Sequence, residues 1–172
     1  MAVKPVSTCP HLVARDIDAR DADALLRVAA DVLARAGGAS PDLAFRALSR
    51  RESAASTALG VGVAVPHARL PGLDHRLTAL LRTRYPIAFR APDHKPVNLL
   101  YAILVPEDGH PDDDVAFLGR AVEALDERPV PAALLHGTDD DALKRAFVDR
   151  EEREPSAPRR AGAGNAAPGV SA

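Results

Sequence analysis

The chain is poor in several things at once. It has one cysteine, Cys9, in 172 residues, which rules out an intrachain disulfide and a multi-cysteine zinc site. It has no tryptophan, and aromatic residues make up 3%. The core must therefore be built from Leu, Val and Ala, which fits layered helices and strands. No apolar run approaches the ~20 residues needed to span a bilayer. The first residues, MAVKPVSTCPHLV, hold no continuous apolar segment of a secretory signal. Neither sign of charge dominates. Lys and Arg number 22 against 24 Asp and Glu, for a net −2, so there is no footprint for nucleic acid. These absences lead us to expect a soluble, cytoplasmic protein without membrane insertion.

What is present reads as an ordinary globular domain, with 47% hydrophobic and 27% charged residues. The length suffices for one domain with a proper core, and no internal repeat is evident. Residues 1–10 read as an arm, 11–149 as the domain, and 150–172, rich in Pro, Gly, Ala and charge, as a disordered tail. Cys9 and His11 are two ligands at most, too few for a metal site, so a loose arm is expected there. A helix is expected from Asp16 to Ala36, capped by Asp18 or Asp21 and ended by Gly37-Gly38. A second is expected from Ser40-Pro41 to about Arg50, with Leu43, Ala44, Ala47 and Leu48 inward.

Residues 68–72 read as a turn and Leu77–Thr83 as a strand. Residues 85–89, which contain Pro86, read as a bend or short edge segment, and 91–96 as a loop. Val97–Val105, VNLLYAILV, is the most apolar run. Its length and its flanking prolines predict a strand buried on both faces at the sheet centre, which requires helices on each side. A helix from Asp112 to Leu125, with Val115, Leu118, Val122 and Leu125 inward, and a last one from Thr138 to Val148 complete the chain. Residues 129–135 fit a short helix or a strand.

The stretch that draws the eye is 51–67, RESAASTALGVGVAVPH. Val61, Val63 and Val65 alternate, as on one face of a strand. Gly60 and Gly62 allow close approach by backbone or ligand. Pro66 has no N–H for a sheet ladder, so pairing is expected to stop there and leave His67 free of the sheet. A free imidazole is mostly neutral at pH 7 and keeps a lone pair for nucleophilic attack. On residue type alone, a histidine satisfied at a strand end is the plainer reading.

The same stretch resembles the phosphorylation site of the fructose/mannitol type (type 2) of phosphotransferase-system IIA domain, including its nitrogen-regulatory branch. That family reads Arg-Glu, then Ser-Thr-Gly-Ile-Gly, then Gly-Ile-Ala-Ile-Pro-His. Arg51-Glu52, Ser56-Thr57, Gly60, Gly62 and Val63-Ala64-Val65-Pro66-His67 stand at the matching places. Pro86-Ile87-Ala88-Phe89, Lys95-Pro96-Val97 and Leu104-Val105-Pro106 resemble further family segments. The resemblance implies an α/β (α+β) fold: a mixed sheet of about five strands with helices on both faces, a three-layer sandwich. It also implies a phosphoryl carrier without metal or cofactor. On this resemblance His67 is expected to accept the group from a histidine phosphocarrier protein, and Arg51 to grip phosphoryl oxygens.

Ser56 and Thr57 are candidate hydroxyl donors to the phosphoryl group, or turn caps. Glu52 is a candidate partner of Arg51 or of nearby backbone. Where the family commonly has a second active-site histidine, matching the apolar positions puts Asp114, with His110 four residues earlier. An anion there would repel a phosphoryl group and slow transfer, unless Asp114 is simply an acid at a helix start. Ala58 replaces a common glycine, and Ala68-Arg69 follows His67 where glycine is frequent; Arg69 could add positive charge. His75, His94 and His136 show no metal-ligand spacing, and no Gly-Lys-Ser/Thr follows Gly60 and Gly62 to make a P-loop. Three roles fit the pattern: a nitrogen-regulatory carrier, a sugar-transport subunit feeding a separate IIB protein, or a non-catalytic module that regulates a kinase or channel.

Overall fold

A computed structural model describes residues 7–126, 130 and 132–151. The middle layer is a sheet whose centre is β6 (Val97–Pro106). On one side β6 pairs antiparallel with β5 (Leu77–Ile87), which pairs parallel with β1 (Leu12–Ile17). On the other side lie β3 (Val63–Ala64) and β4 (His67–Leu70), both parallel to β6. Their registers agree: Val63 faces Leu99 and His67 faces Ile103, so the offset is the same. The two are one strand interrupted at Val65-Pro66. The short β2 (Ala58–Gly60) closes this edge antiparallel to β3. The sheet therefore has five strand positions, of mixed direction.

Alternation along β6 feeds two cores. Leu100, Ala102 and Leu104 pack with α1 (Ala22–Ala36) and α2 (Pro41–Ala54). Leu99, Tyr101, Ile103 and Val105 pack with α3 (Pro111–Asp126), α4 (Ala132–His136) and α5 (Asp140–Glu151). The result is the three-layer sandwich expected from a strand that is apolar on both faces.

Several expectations are corrected. The first helix starts at Ala22 rather than Asp16, because Asp16 and Ile17 end β1 and the Asp21 carboxylate caps the helix by accepting from the Ala24 N–H at 2.8 Å. The second helix runs to Ala54, one turn past Arg50. Leu43 (49% exposed) and Val115 (69%) face outward, and Phe117 and Ala121 occupy the inward face of α3 instead. Residues 68–70 are strand, not turn. Strand β5 continues through Pro86 to Ile87, with a shift of register between Arg82 and Ile87 that absorbs the proline. Residues 132–136 are helical.

The segment before β1 is not loose where it is described. The Tyr101 hydroxyl donates to the Thr8 carbonyl, and the His11 N–H donates to Thr78 Oγ1 at 3.0 Å. The tail expected over 150–172 lies outside the described residues from 152 onward, while 150 and 151 end α5. Among the described residues no helix is long and apolar enough to cross a membrane.

Candidate functional site

The interruption at Pro66 creates the site. Pairing does not stop there, as expected, but pauses. The Pro66 carbonyl accepts from the Ile103 N–H at 2.9 Å, and the ladder resumes at His67. Proline has no N–H, so the pause costs no ladder donor. His67 is consequently the first residue of β4 rather than a residue beyond the sheet.

Its neighbours Ala68 and Leu70 turn toward the α1/α2 core, so His67 and Arg69 project to the α3 side. Strand β2 pairs only with β3, leaving the outer edge of β4 without a strand neighbour among the described residues. There α2 and α3 flank a cavity of about 720 Å³. His67, Arg51, Arg69, Asp114 and the apolar Phe117 and Leu118 line it.

The hairpin ahead of the site explains the glycine spacing. Val61, Val63 and Val65 do share the α3-side core, but not as one strand, because the chain turns at 61–62. Gly60 and Gly62 have φ of +85° and +81°, values that glycine adopts without strain. A Cβ on Gly60 would meet Asp93 Oδ2 at 3.1 Å, and one on Gly62 would meet Asn98 Oδ1 at 2.8 Å. The close approach is to the protein's own loop. The Asp93 carboxylate locks that loop to the turn by accepting from the Val61 N–H at 2.9 Å.

The His67 ring is held at both nitrogens. Nδ1 lies 3.0 Å from the Val65 carbonyl, and Nε2 lies 3.1 Å from Arg51 Nε. A carbonyl only accepts and a guanidinium only donates. Nδ1 therefore carries the proton and donates to Val65, while Nε2 keeps the lone pair and accepts from Arg51. Burial pushes the His67 pKa below its ordinary 6.5. The Val65 bond and the Glu52 carboxylate oppose that shift, and the Arg51 guanidinium adds to it. The ring is neutral at pH 7, with its lone pair aimed at Arg51.

Arg51 sits in the last turn of α2, where its Nη1 also donates to the Ala55 carbonyl at 2.8 Å. This caps an open C-terminal carbonyl and fixes the guanidinium. Glu52 faces elsewhere. Its carboxylate accepts from the Thr57 N–H at 3.0 Å and from the Thr57 hydroxyl, holding the bend that leads from α2 into β2. Ser56 Oγ accepts from the Ala58 N–H at 3.3 Å. Thr57 is buried, and neither hydroxyl lines the cavity. The structure thus joins His67 and Arg51 directly and uses Glu52, Ser56 and Thr57 to shape the turn between them.

Asp114 is on the cavity wall, but not as a bare anion. Its Oδ2 accepts from Arg69 Nη2 at 2.6 Å and its Oδ1 from Arg76 Nη2 at 2.9 Å. Arg69 Nη1 also donates to the carbonyls of Pro106, Glu107 and Gly109. The Arg76 guanidinium lies over the Phe117 ring, 4.0 Å from its centroid. Arg76 escaped the sequence reading, since nothing in its neighbourhood marks it. Only the fold brings it to Asp114, 38 residues away. His110 is not among the residues lining the cavity. Among the described residues no group of three or more His, Cys, Asp or Glu is gathered as a metal site would need.

Three stacked layers, with a neutral imidazole at a strand edge between two arginine-bearing walls, define a class of domain, and comparison with known proteins gives its family. Residues 8–149 match the family described as phosphoenolpyruvate-dependent sugar phosphotransferase system, EIIA 2, and the chain belongs to it. A nitrogen regulatory protein of Pseudomonas aeruginosa is 35% identical over 105 residues, covering 61% of this chain and 68% of that one. A fructose-specific EIIA component of Haloferax volcanii is 41% identical over 71 residues, covering 41% of this chain and 46% of that one. Among solved structures, the nitrogen regulatory protein IIA-Ntr of Neisseria meningitidis superposes with a TM-score of 0.73 at 30% identity, covering 80% of this chain and 92% of that one.

Proposed function

We propose that this chain is a phosphoryl carrier of the nitrogen-regulatory IIA type, and that His67 Nε2 is the atom that carries the phosphoryl group. The observation behind this reading is the two-sided grip on the ring. The Val65 carbonyl holds the Nδ1 proton, which leaves Nε2 as the nucleophile beside a guanidinium.

A histidine phosphocarrier protein supplies the group from its own phosphohistidine. The Nε2 lone pair forms the new N–P bond as the donor's N–P bond breaks. The donor ring, protonated on its other nitrogen, leaves with the bonding pair as neutral imidazole. His67 ends with phosphorus on Nε2 and its proton still on Nδ1, so charge and protons balance. Nε2 is capped by the Arg51 Nε–H, so Arg51 must release the ring nitrogen as the phosphoryl group arrives. Its remaining N–H groups then hold phosphoryl oxygens. Transfer of this kind needs little beyond positioning and charge stabilisation.

Regulation, exerted on a partner such as a kinase or channel, is preferred to sugar import. The nitrogen-regulatory relative combines length with identity, 35% over 105 residues, whereas fructose-specific relatives give 41% over only 71 residues or 26% over 134. The site itself would serve equally well in a sugar-transport subunit feeding a separate IIB protein. The carrier works in the cytoplasm, where its donor is found. The test is incubation of the full chain with phosphoenolpyruvate and the donor proteins, followed by mass spectrometry under alkaline conditions. An acid-labile phosphate on His67, absent from His67→Ala, supports the role. Wild-type protein without label refutes it.

A further inference from the structure

The position opposite Arg51 holds Asp114, a carboxylate that on its own would repel a phosphoryl group. The structure assigns the remedy to Arg69: we propose that Arg69 is a second phosphoryl-binding cation of this site and that Asp114 is the residue that positions it. The inference rests on the carrier reading above and adds to it a residue that directly meets the transferred group.

Arg69 follows His67 by two residues on β4 and lines the same cavity. Alternate residues of a strand share a face and lie about 6.6 Å apart along it, within the span of an arginine side chain and a phosphorylated imidazole. Arg69 is also tethered. Nη2 donates to Asp114 Oδ2 at 2.6 Å, and Nη1 is shared among three carbonyls of the loop 106–109. Guanidinium has five N–H donors, and these contacts use Nη1 and one N–H of Nη2. The Nε–H and the second Nη2–H have no hydrogen-bond partner among the described residues. They are left on a side chain that is 37% exposed at the cavity.

Charge favours the same conclusion. Asp114 is paired with both Arg69 and Arg76, so the cluster carries a net positive formal charge. Arg50 and Arg51 add to it from the α2 wall, against Glu107 on the α3 wall. An anchored guanidinium with donors to spare loses little freedom on meeting a phosphoryl oxygen. A simpler role for Arg69 is to neutralise Asp114. The two roles differ in what happens when Asp114 loses its charge.

The experiment measures the initial rate at which His67 takes label from the phosphorylated donor in three full-length chains: wild type, Arg69→Gln, and the double variant Arg69→Gln with Asp114→Asn. The double variant removes the carboxylate together with one of its two cations, so it keeps a comparison available if the single variant unfolds. Far-UV circular dichroism and the His67 NMR signal check the fold. The proposal expects acceptance to fall about 10²-fold in Arg69→Gln and to stay comparably low in the double variant. A double variant that accepts at the wild-type rate overturns the proposal, since Arg69 would then only offset Asp114. Wild-type acceptance in Arg69→Gln overturns it too. In both cases labelled wild type leaves the carrier role standing, whereas unlabelled wild type removes the carrier role and this inference together.

Discussion

The two walls around His67 use the same residue type in opposite ways. On the α2 wall, Arg51 is bonded to one backbone carbonyl and to the imidazole itself. On the α3 wall, Arg69 and Arg76 are committed first to a carboxylate, and Arg69 also to three loop carbonyls. An arginine's role here is set by what already holds it. Arg51 is held at one end by the Ala55 carbonyl and presents the other to His67 Nε2. Arg76 is spent on Asp114 and on the Phe117 ring, which makes it part of the frame.

The contrast can be broken in order of expected effect. Removing the ring is the most severe change: His67→Ala should abolish acid-labile phosphorylation while leaving the fold intact, checked by label incorporation and circular dichroism. On the α2 wall, Arg51→Lys retains charge but loses the planar fork, and acceptance should fall about 10²-fold. Its stability in urea should change by less than about 0.5 kcal/mol. On the α3 wall the balance reverses for stability. Asp114→Ala leaves two partly exposed arginines without their shared carboxylate, and urea unfolding should report a loss of about 1–2 kcal/mol. If Arg51→Lys were the more destabilising of the two, the distinction between the walls would be wrong.

The smallest effect is a titration. The folded pKa of His67 lies below 6.5 because burial disfavours the charged ring. The folded state therefore binds fewer protons than the unfolded chain as pH falls through 6.5. The stability contributed by the neutral ring is complete above 6.5 and is lost progressively below it. An NMR titration of the imidazole should find its midpoint under 6.5. It should move upward in Arg51→Gln, because a cation that disfavours the imidazolium has gone. A downward move would contradict the bond between Nε2 and the guanidinium.

The α2 wall was largely legible in the amino-acid pattern and the α3 wall was not. Arg51 and His67 are 16 residues apart, inside one stretch whose turn, strand and proline could be read locally. Even there, the reading missed that β4 resumes at His67, because the effect of a proline on a ladder depends on the neighbouring strand. Pro66 interrupts pairing with β6, while the parallel register carries across it. The α3 wall joins Arg69 to Asp114 across 45 residues and Arg76 to the same carboxylate across 38. No spacing rule connects them. The central strand was legible because seven apolar residues in a row, Leu99 to Val105, can lie only between two layers. The outward turn of Val115 was not, since the inward face of α3 is set by where Phe117 and Ala121 meet Tyr101 and Ile103.

The central claim is that Nε2 of His67, freed as a nucleophile by the Val65 carbonyl on Nδ1, receives the phosphoryl group. Phosphorus NMR on the alkaline-stabilised phosphoprotein, after incubation with phosphoenolpyruvate and the donor proteins, tests this most directly. The account predicts one phosphohistidine resonance of the Nε2 type, absent from His67→Ala. A resonance of the Nδ1 type, or a phosphate carried on any other residue, would contradict it.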